Sequence, residues 1–158
     1  MTETTKEKIK ADKIVVHLNG RTIKGYIDST HWESLDGLLV QGTRSMPDVL
    51  HIRPADGSDP VDLPIEETKA IFFVKSFEGR GARHDLKFFS HAPMVHGIWV
   101  QVRFLDGEIM EGVVMNGLPH LVQPGFFLHP TDPDGNNSLV YVLKSKLADY
   151  RVLGVRSL

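Results

Sequence analysis

The chain says one thing twice. Residues 13–27, K-I-V-V-H-L-N-G-R-T-I-K-G-Y-I, return 87 positions later at 100–114 as V-Q-V-R-F-L-D-G-E-I-M-E-G-V-V. Without a gap, Leu18 falls on Leu105, Asn19 on Asp106, Gly20 on Gly107 and Gly25 on Gly112. A repeat at a fixed offset constrains a fold more than composition does, because each copy must be a structural unit in its own right. In 158 residues there is room for two units of about sixty residues, each marginal alone and stabilised by packing on the other.

Each copy opens as a hairpin. Asn19-Gly20 stands between two β-branched runs, the sequence pattern of a type I′ turn, whose two central residues both need positive φ. Asp106-Gly107 holds the same slot. Gly25 and Gly112 then interrupt the second strand. A glycine inside a strand costs stability, so its recurrence predicts a bend or a close backbone approach.

Alternation assigns faces. Counted from the turn, the core face carries Val15, Ile23, Gly25 and Ile27 in the first copy. In the second it carries Val100, Val102, Phe104, Met110, Gly112 and Val114. The opposite face should be polar in a one-sided sheet, and Lys24, Arg103 and Glu111 fit. Ile14, Val16, Leu18, Trp99, Leu105, Ile109 and Val113 do not. These seven form a candidate interface, with the sister copy or a second subunit.

Beyond the hairpins the copies diverge and rejoin. The first carries about eleven extra residues within Asp28–Asp48, where Gly37–Gln41 can form a short strand. Strands are then predicted at Val49–Arg53, Val61–Ile65 and Lys69–Lys75, and at Phe126–His129, Leu139–Lys144 and Asp149–Val155. Phe72-Phe73 and Phe126-Phe127 each place one ring on either side of a strand, so both sides must be covered. The expected fold is all-β: two tandem five-stranded small barrels related by a pseudo-twofold, with closure removing the exposed strand edges. Residues 1–11 read as a flexible arm, 12–78 as the first barrel, 79–97 as a packed basic bridge and 98–158 as the second barrel.

The hairpin Val102-x-Phe104-x-Asp106-Gly107-x-x-Met110-x-Gly112-x-Val114 resembles the opening motif of Sm-like and SH3-like barrels, with His17 replacing one apolar position in the first copy. The resemblance implies a five-stranded barrel and, by inheritance, RNA binding. Neither copy has the Asp/Asn pair with which Sm-like proteins grip bases, and Leu153-Gly154 stands without the basic residue where a basic-Gly is sought, which sets nucleic acid behind other partners. Lys69–Gly79 and Val102–Gly112 also resemble an uncharacterised bacterial family of small β-barrel modules.

Candidate chemistry is sparse. Zinc needs three or four converging ligands, usually with a close-spaced pair, and His84, His91 and His96 match no such spacing. Asp132-Pro-Asp134-Gly135 places its glycine too early for a calcium loop. Arg80, Arg83 and Lys87 form the one basic cluster. It is similar to the arginines that precede cyclic-dinucleotide-binding PilZ barrels, where guanidinium groups pair with phosphates, but the spacing is one residue short. No nucleophile elbow or phosphate-gripping glycine loop occurs.

The sequence therefore reads as a non-catalytic binding or scaffolding module with no cofactor or metal. Its expected partner is another protein or itself, as a homodimer. An Sm-like RNA binder or a PilZ-like nucleotide sensor is the alternative. The chain has no cysteine, which suits the cytoplasm, and no apolar run long enough to span a membrane.

Overall fold

A computed structural model describes residues 11–28, 46–78, 97–131 and 135–156. Within them the strands are β1 (Ala11–Leu18), β2 (Arg21–Asp28), β3 (Val49–Pro54), β4 (Val61–Pro64), β5 (Ala70–Val74), β6 (Gly97–Phe104), β7 (Ile109–Val114), β8 (Gly125–Pro130), β9 (Asn137–Leu143) and β10 (Leu147–Arg156). One short helix, α1 (Leu118–Val122), precedes β8. Single 3₁₀ turns at Ile65–Glu67 and Lys144–Lys146 lead into β5 and β10. The protein is all-β, and the expected strands form within a residue or two of their predicted ends. The arm, the short strand at Gly37–Gln41 and nearly all of the bridge lie outside the described residues.

The ten strands form one antiparallel sheet in the order β10-β6-β7-β8-β9-β5-β1-β2-β3-β4. Each half has the same internal order, its last strand followed by its first four. The expected closure is not observed, and the sheet is open, with β4 and β10 as its edges. The physical reason lies in β5, whose five residues A-I-F-F-V are all buried. A strand with no polar side needs cover on both sides. Pairing with β9, from Ala70↔Val142 to Val74↔Asn137, joins the two halves so that one side of β5 lies in each of two cores.

Two cores result, one on each side of the central strands. Ile71 and Phe73 join Ile14, Val16, Leu50, Ile52 and Leu63, together with Leu139, Tyr141 and Leu143 of β9. Ala70, Phe72 and Val74 join Val100, Val102, Phe104, Phe126 and Leu128, together with Val140 and Val142 of β9. The Phe72-Phe73 pair thus supplies one ring to each core, as its pattern predicts. Phe126 is buried in the second core and Phe127 packs against the first.

The first hairpin corrects two expectations. Only Gly20 takes positive φ, at 81°, so Asn19-Gly20 fits a type II turn and not the type I′ turn, which needs both. The second hairpin is one residue longer. Phe104 N–H bonds Glu108 C=O across Leu105-Asp106-Gly107, and Gly107 has φ of 95°. That is a three-residue loop ending in a left-handed glycine. Ile14 therefore pairs with Gly25 as Val100 pairs with Gly112, and the first strands correspond at an offset of 86, not 87. One residue of slip exchanges the faces of a strand. Ile14 and Val16 are fully buried while Val15 is half-buried, the reverse of the expected assignment.

In β7 the expected polar position Glu111 is buried, and Trp99 Nε1 donates to its Oε1 at 2.8 Å. A buried carboxyl needs such a partner.

Candidate functional site: the open edge of β10

The two edges of the sheet differ in their free backbone groups. In antiparallel pairs successive N–H groups point alternately toward and away from the neighbour. Ile65 N–H bonds Asp48 C=O, just beyond the Val49↔Pro64 pair. This phase turns the N–H groups of Leu63 and Val61 toward β3, so positions 60, 62 and 64 face outward. Pro60 and Pro64 have no N–H to offer, and Asp62 carries a charge bonded to His51 Nδ1 at 2.6 Å. Prolines and charges at such positions are how sheet edges resist further pairing.

The outer edge of β10 has no proline; Asp149 Oδ1 caps one of its outward N–H groups, and register shifts between Leu147 and Asp149 and between Val152 and Gly154 bound its regular part. Phe104 N–H points to β7 through its bond to Glu108, which by alternation sends Val102 and Val100 the same way. Gln101 and Arg103 then face β10, opposite Arg151 and Asp149. The N–H groups of Tyr150 and Val152 therefore point away from the sheet. Among the described residues no strand takes them, and Tyr150 N–H donates instead to Oδ1 of its neighbour Asp149 at 3.0 Å. Their counterparts in β5 are Ile71 and Phe73, which lie opposite Val16 and Ile14 as Tyr150 and Val152 lie opposite Val102 and Val100. In β5 that edge is filled by β9.

The side chains agree with the backbone. Tyr150, Val152, Leu153 and Val155 are 36%, 52%, 44% and 62% exposed, and Leu118, Leu121 and Val122 of α1 are also exposed. Scattered surface apolar residues mean little, but these follow one strand edge. A cleft of about 480 Å³ lies between α1 and β10, lined by His120, Leu121, Phe126, Leu147 and Tyr150 among others.

His120 lines that cleft. Its Nε2 lies 2.8 Å from the Tyr150 hydroxyl, and its ring meets Phe126 edge-on with centroids 4.9 Å apart. Lys144 Nζ donates to the Leu121 carbonyl at 3.1 Å, tying α1 to the end of β9. His120 Nδ1 is buried with no bonding partner among the described residues. Burial first, and then the charge of Lys144, hold the His120 pKa below its ordinary value. The neutral ring, with Nε2–H donating to Tyr150, leaves only a bare acceptor without a partner. Burial also pushes the Tyr150 hydroxyl up.

A second group of titratable side chains sits where the halves meet. Lys69 Nζ bonds Asp106 at 2.7 Å and also Glu108, and lies 4.6 Å from the centre of the Phe104 ring. Burial alone would lower Lys69, but the bonds to Asp106 and Glu108 outweigh it and hold its pKa above the usual value. Both carboxylates are spent on this one cation, so the group acts as a latch between the first half and the β6–β7 turn. His17 is nearby and stacks on Phe72 with centroids 4.5 Å apart. Burial keeps the His17 pKa low, with Glu108 opposing and Lys69 assisting. Among the described residues no three His, Asp or Glu side chains gather as metal ligands. No described helix is long and apolar enough to cross a membrane.

These histidines set a pH response. Both have folded pKa values below the ordinary 6.5, so above that value folded and unfolded chains are alike neutral and stability is complete. As pH falls below 6.5 the unfolded chain takes up protons that the folded chain refuses, and stability declines until the folded values are passed. Urea midpoints should therefore fall between pH 7.5 and pH 5.5. A His17→Gln, His120→Gln double variant should flatten that fall, and an unchanged slope would assign it to other groups.

The sequence-derived candidates scatter across the structure. Ile14 and Val16 lie inside the first core and Leu18 packs against it. Val113 is buried, Trp99 is half-buried, and Leu105 and Ile109 are exposed. Of the seven, Trp99 and Val113 are cross-strand partners in β6 and β7, and Leu18 and Leu105 come together in a cleft of about 360 Å³ beside Lys69. Arg80, Arg83 and Lys87 lie outside the described residues, as do His84, His91 and His96. Tyr150, Val152, Leu153 and α1 were missed. The Val152-Leu153-x-Val155 run carried the signal, but it reads equally well as a closing barrel strand.

A family model described as a family of unknown function (DUF6982) matches residues 10–154. No curated protein and no solved structure matches the chain.

Proposed function

We propose, from the premise that this chain belongs to the DUF6982 family of unknown function, that it is a non-catalytic binding or scaffolding module acting in the cytoplasm through an added strand. In this reading each half is an Sm-like or SH3-like barrel left open along one seam. The halves are tandem copies joined through β5 and β9, and a partner protein supplies the strand that β10 lacks. Main-chain pairing gives affinity in such docking, and pockets for alternate side chains give selectivity. The cleft beside Tyr150 is such a pocket.

The observation that carries the reading is the difference between the edges. Two of the three outward positions around β4 are prolines, while in β10 Tyr150 and Val152 keep their outward N–H groups, that of Tyr150 held only by the Asp149 side chain, beside exposed apolar side chains. An edge kept free of the prolines that block the other one is a surface with a use.

A photo-crosslinking residue at Leu153 should capture protein in cells, whereas the same residue at His51 on the β3–β4 side should not. Val152→Pro, which removes one outward N–H, should abolish the Leu153 adduct. Equal capture from both positions, or capture indifferent to Val152→Pro, refutes the reading.

A further inference from the structure

We infer that the occupant of the β10 edge is the β10 edge of a second copy of this chain, paired antiparallel about a twofold axis at Tyr150. The inference rests on the strand-docking reading above and names its partner.

Three features lead there. The first is the joint within the chain, where β5 meets β9 along the edge that β10 leaves open. Continuing that joint from copy to copy would pair β10 with the β4 of another molecule. Pro60 and Pro64 stand at the outward positions there, where the joint needs N–H groups, so β4 is refused. The second copy then has its own β10 to offer.

The second feature is charge. Outward N–H groups must face outward N–H groups, so a twofold pairing can centre on Tyr150, Arg151 or Val152. Centring on Arg151 sets two guanidinium groups side by side. Centring on Val152 sets Arg151 against Leu153. Centring on Tyr150 sets Arg151 of each copy against Asp149 of the other. Within one copy Asp149 takes Arg151 Nε on Oδ2 at 2.9 Å and Tyr150 N–H on Oδ1 at 3.0 Å, and pairing exchanges the second bond for the Tyr150 carbonyl of the other copy. Directly opposed opposite charges stabilise strand pairs and like charges disfavour them. The edge is self-complementary in one register.

The third feature is apolar cover. On the other face Tyr150 meets its symmetry mate, Val152 stands opposite Ala148 of the second copy, and Leu121, 75% exposed beside Tyr150 in the same cleft, flanks the joint. A twofold contact uses one patch twice, which such a surface requires.

Sedimentation equilibrium of the full chain tests this. The wild type should be a dimer that dissociates on dilution. Arg151→Asp alone, or Asp149→Arg alone, sets like charges opposite and should weaken the dimer at least tenfold. The double swap Asp149→Arg, Arg151→Asp should restore it, with circular dichroism showing all variants folded. A monomeric wild type at the highest soluble concentration overturns the inference, as does a double swap that fails to recover. If the monomer still yields a Leu153 crosslink lost on Val152→Pro, the edge docks another protein and only the second copy is wrong. Without that crosslink both readings fall.

Discussion

Phe73→Ala should destabilise both halves of the protein together, although its ring sits in one core. Phe73 is 1% exposed and lies among Ile14, Leu50, Ile52, Leu63, Leu139 and Tyr141, with Phe127 at 6.4 Å between centroids. Removing a buried phenyl ring costs about 3–5 kcal/mol, from lost burial and the cavity left behind. That is a large part of the roughly 5–15 kcal/mol that holds a domain folded. For a chain of this size it should lower the melting temperature by roughly 10 °C. The cooperative unit is the more informative readout. β5 and β9 give alternate residues to both cores, so loosening Phe73 also disturbs the strand that presents Phe72 and Val74 to the second core. In a Trp32→Phe background, Trp99 fluorescence reports the second half. Its transition should move with the far-ultraviolet circular dichroism by the same amount. A Trp99 transition that stays at the wild-type midpoint would mean two independent cores.

What could be read from the sequence was local, and what could not was relational. The hairpins, the mid-strand glycines and the paired phenylalanines each announce themselves within a few residues, and the all-β class follows from them. The buried face of β1 does not announce itself. An ungapped match cannot register that one turn has two residues and the other three, and with a side-chain period of two that single residue inverts Ile14 and Val15. Nor does a strand name its neighbour. The all-apolar Ala70–Val74 calls for cover on both sides, but nothing in it favours β9 over a strand of its own half. The β10 edge escaped notice for the same reason, since a strand expected to close a barrel is expected to be apolar. The Pro60 and Pro64 pattern becomes meaningful only once the ladder phase says which way each N–H points.

Gly112→Ala should be among the most damaging methyl additions at the described glycines. A Cβ there would stand 2.2 Å from Leu128 Cδ2 and 2.5 Å from both Leu128 Cγ and the His129 carbonyl oxygen. Neither obstacle can move away cheaply. Leu128 is fully buried in the second core, and the His129 carbonyl belongs to the strand that β7 pairs with, through Gly112↔Pro130 and Val113↔His129. Ordinary overpacking costs about 1–3 kcal/mol. With backbone as well as side chain in the way, a loss of about 3 kcal/mol or more is expected. Gly107→Ala is the control. Its Cβ meets nothing within 4 Å, and only the φ of 95° opposes it, at a cost of about 1 kcal/mol. Adding Leu128→Ala to Gly112→Ala removes the side-chain clash and leaves the carbonyl contact. If the double variant is no less stable than Leu128→Ala alone, the side chain is the whole obstacle. If a penalty persists, the backbones themselves must touch at this corner. The persistent penalty is expected, because Gly25 stands in the same relation to the Arg53 carbonyl, with a Cβ at 2.5 Å. At both corners, then, β2 meets β3 and β7 meets β8 too closely for any residue but glycine.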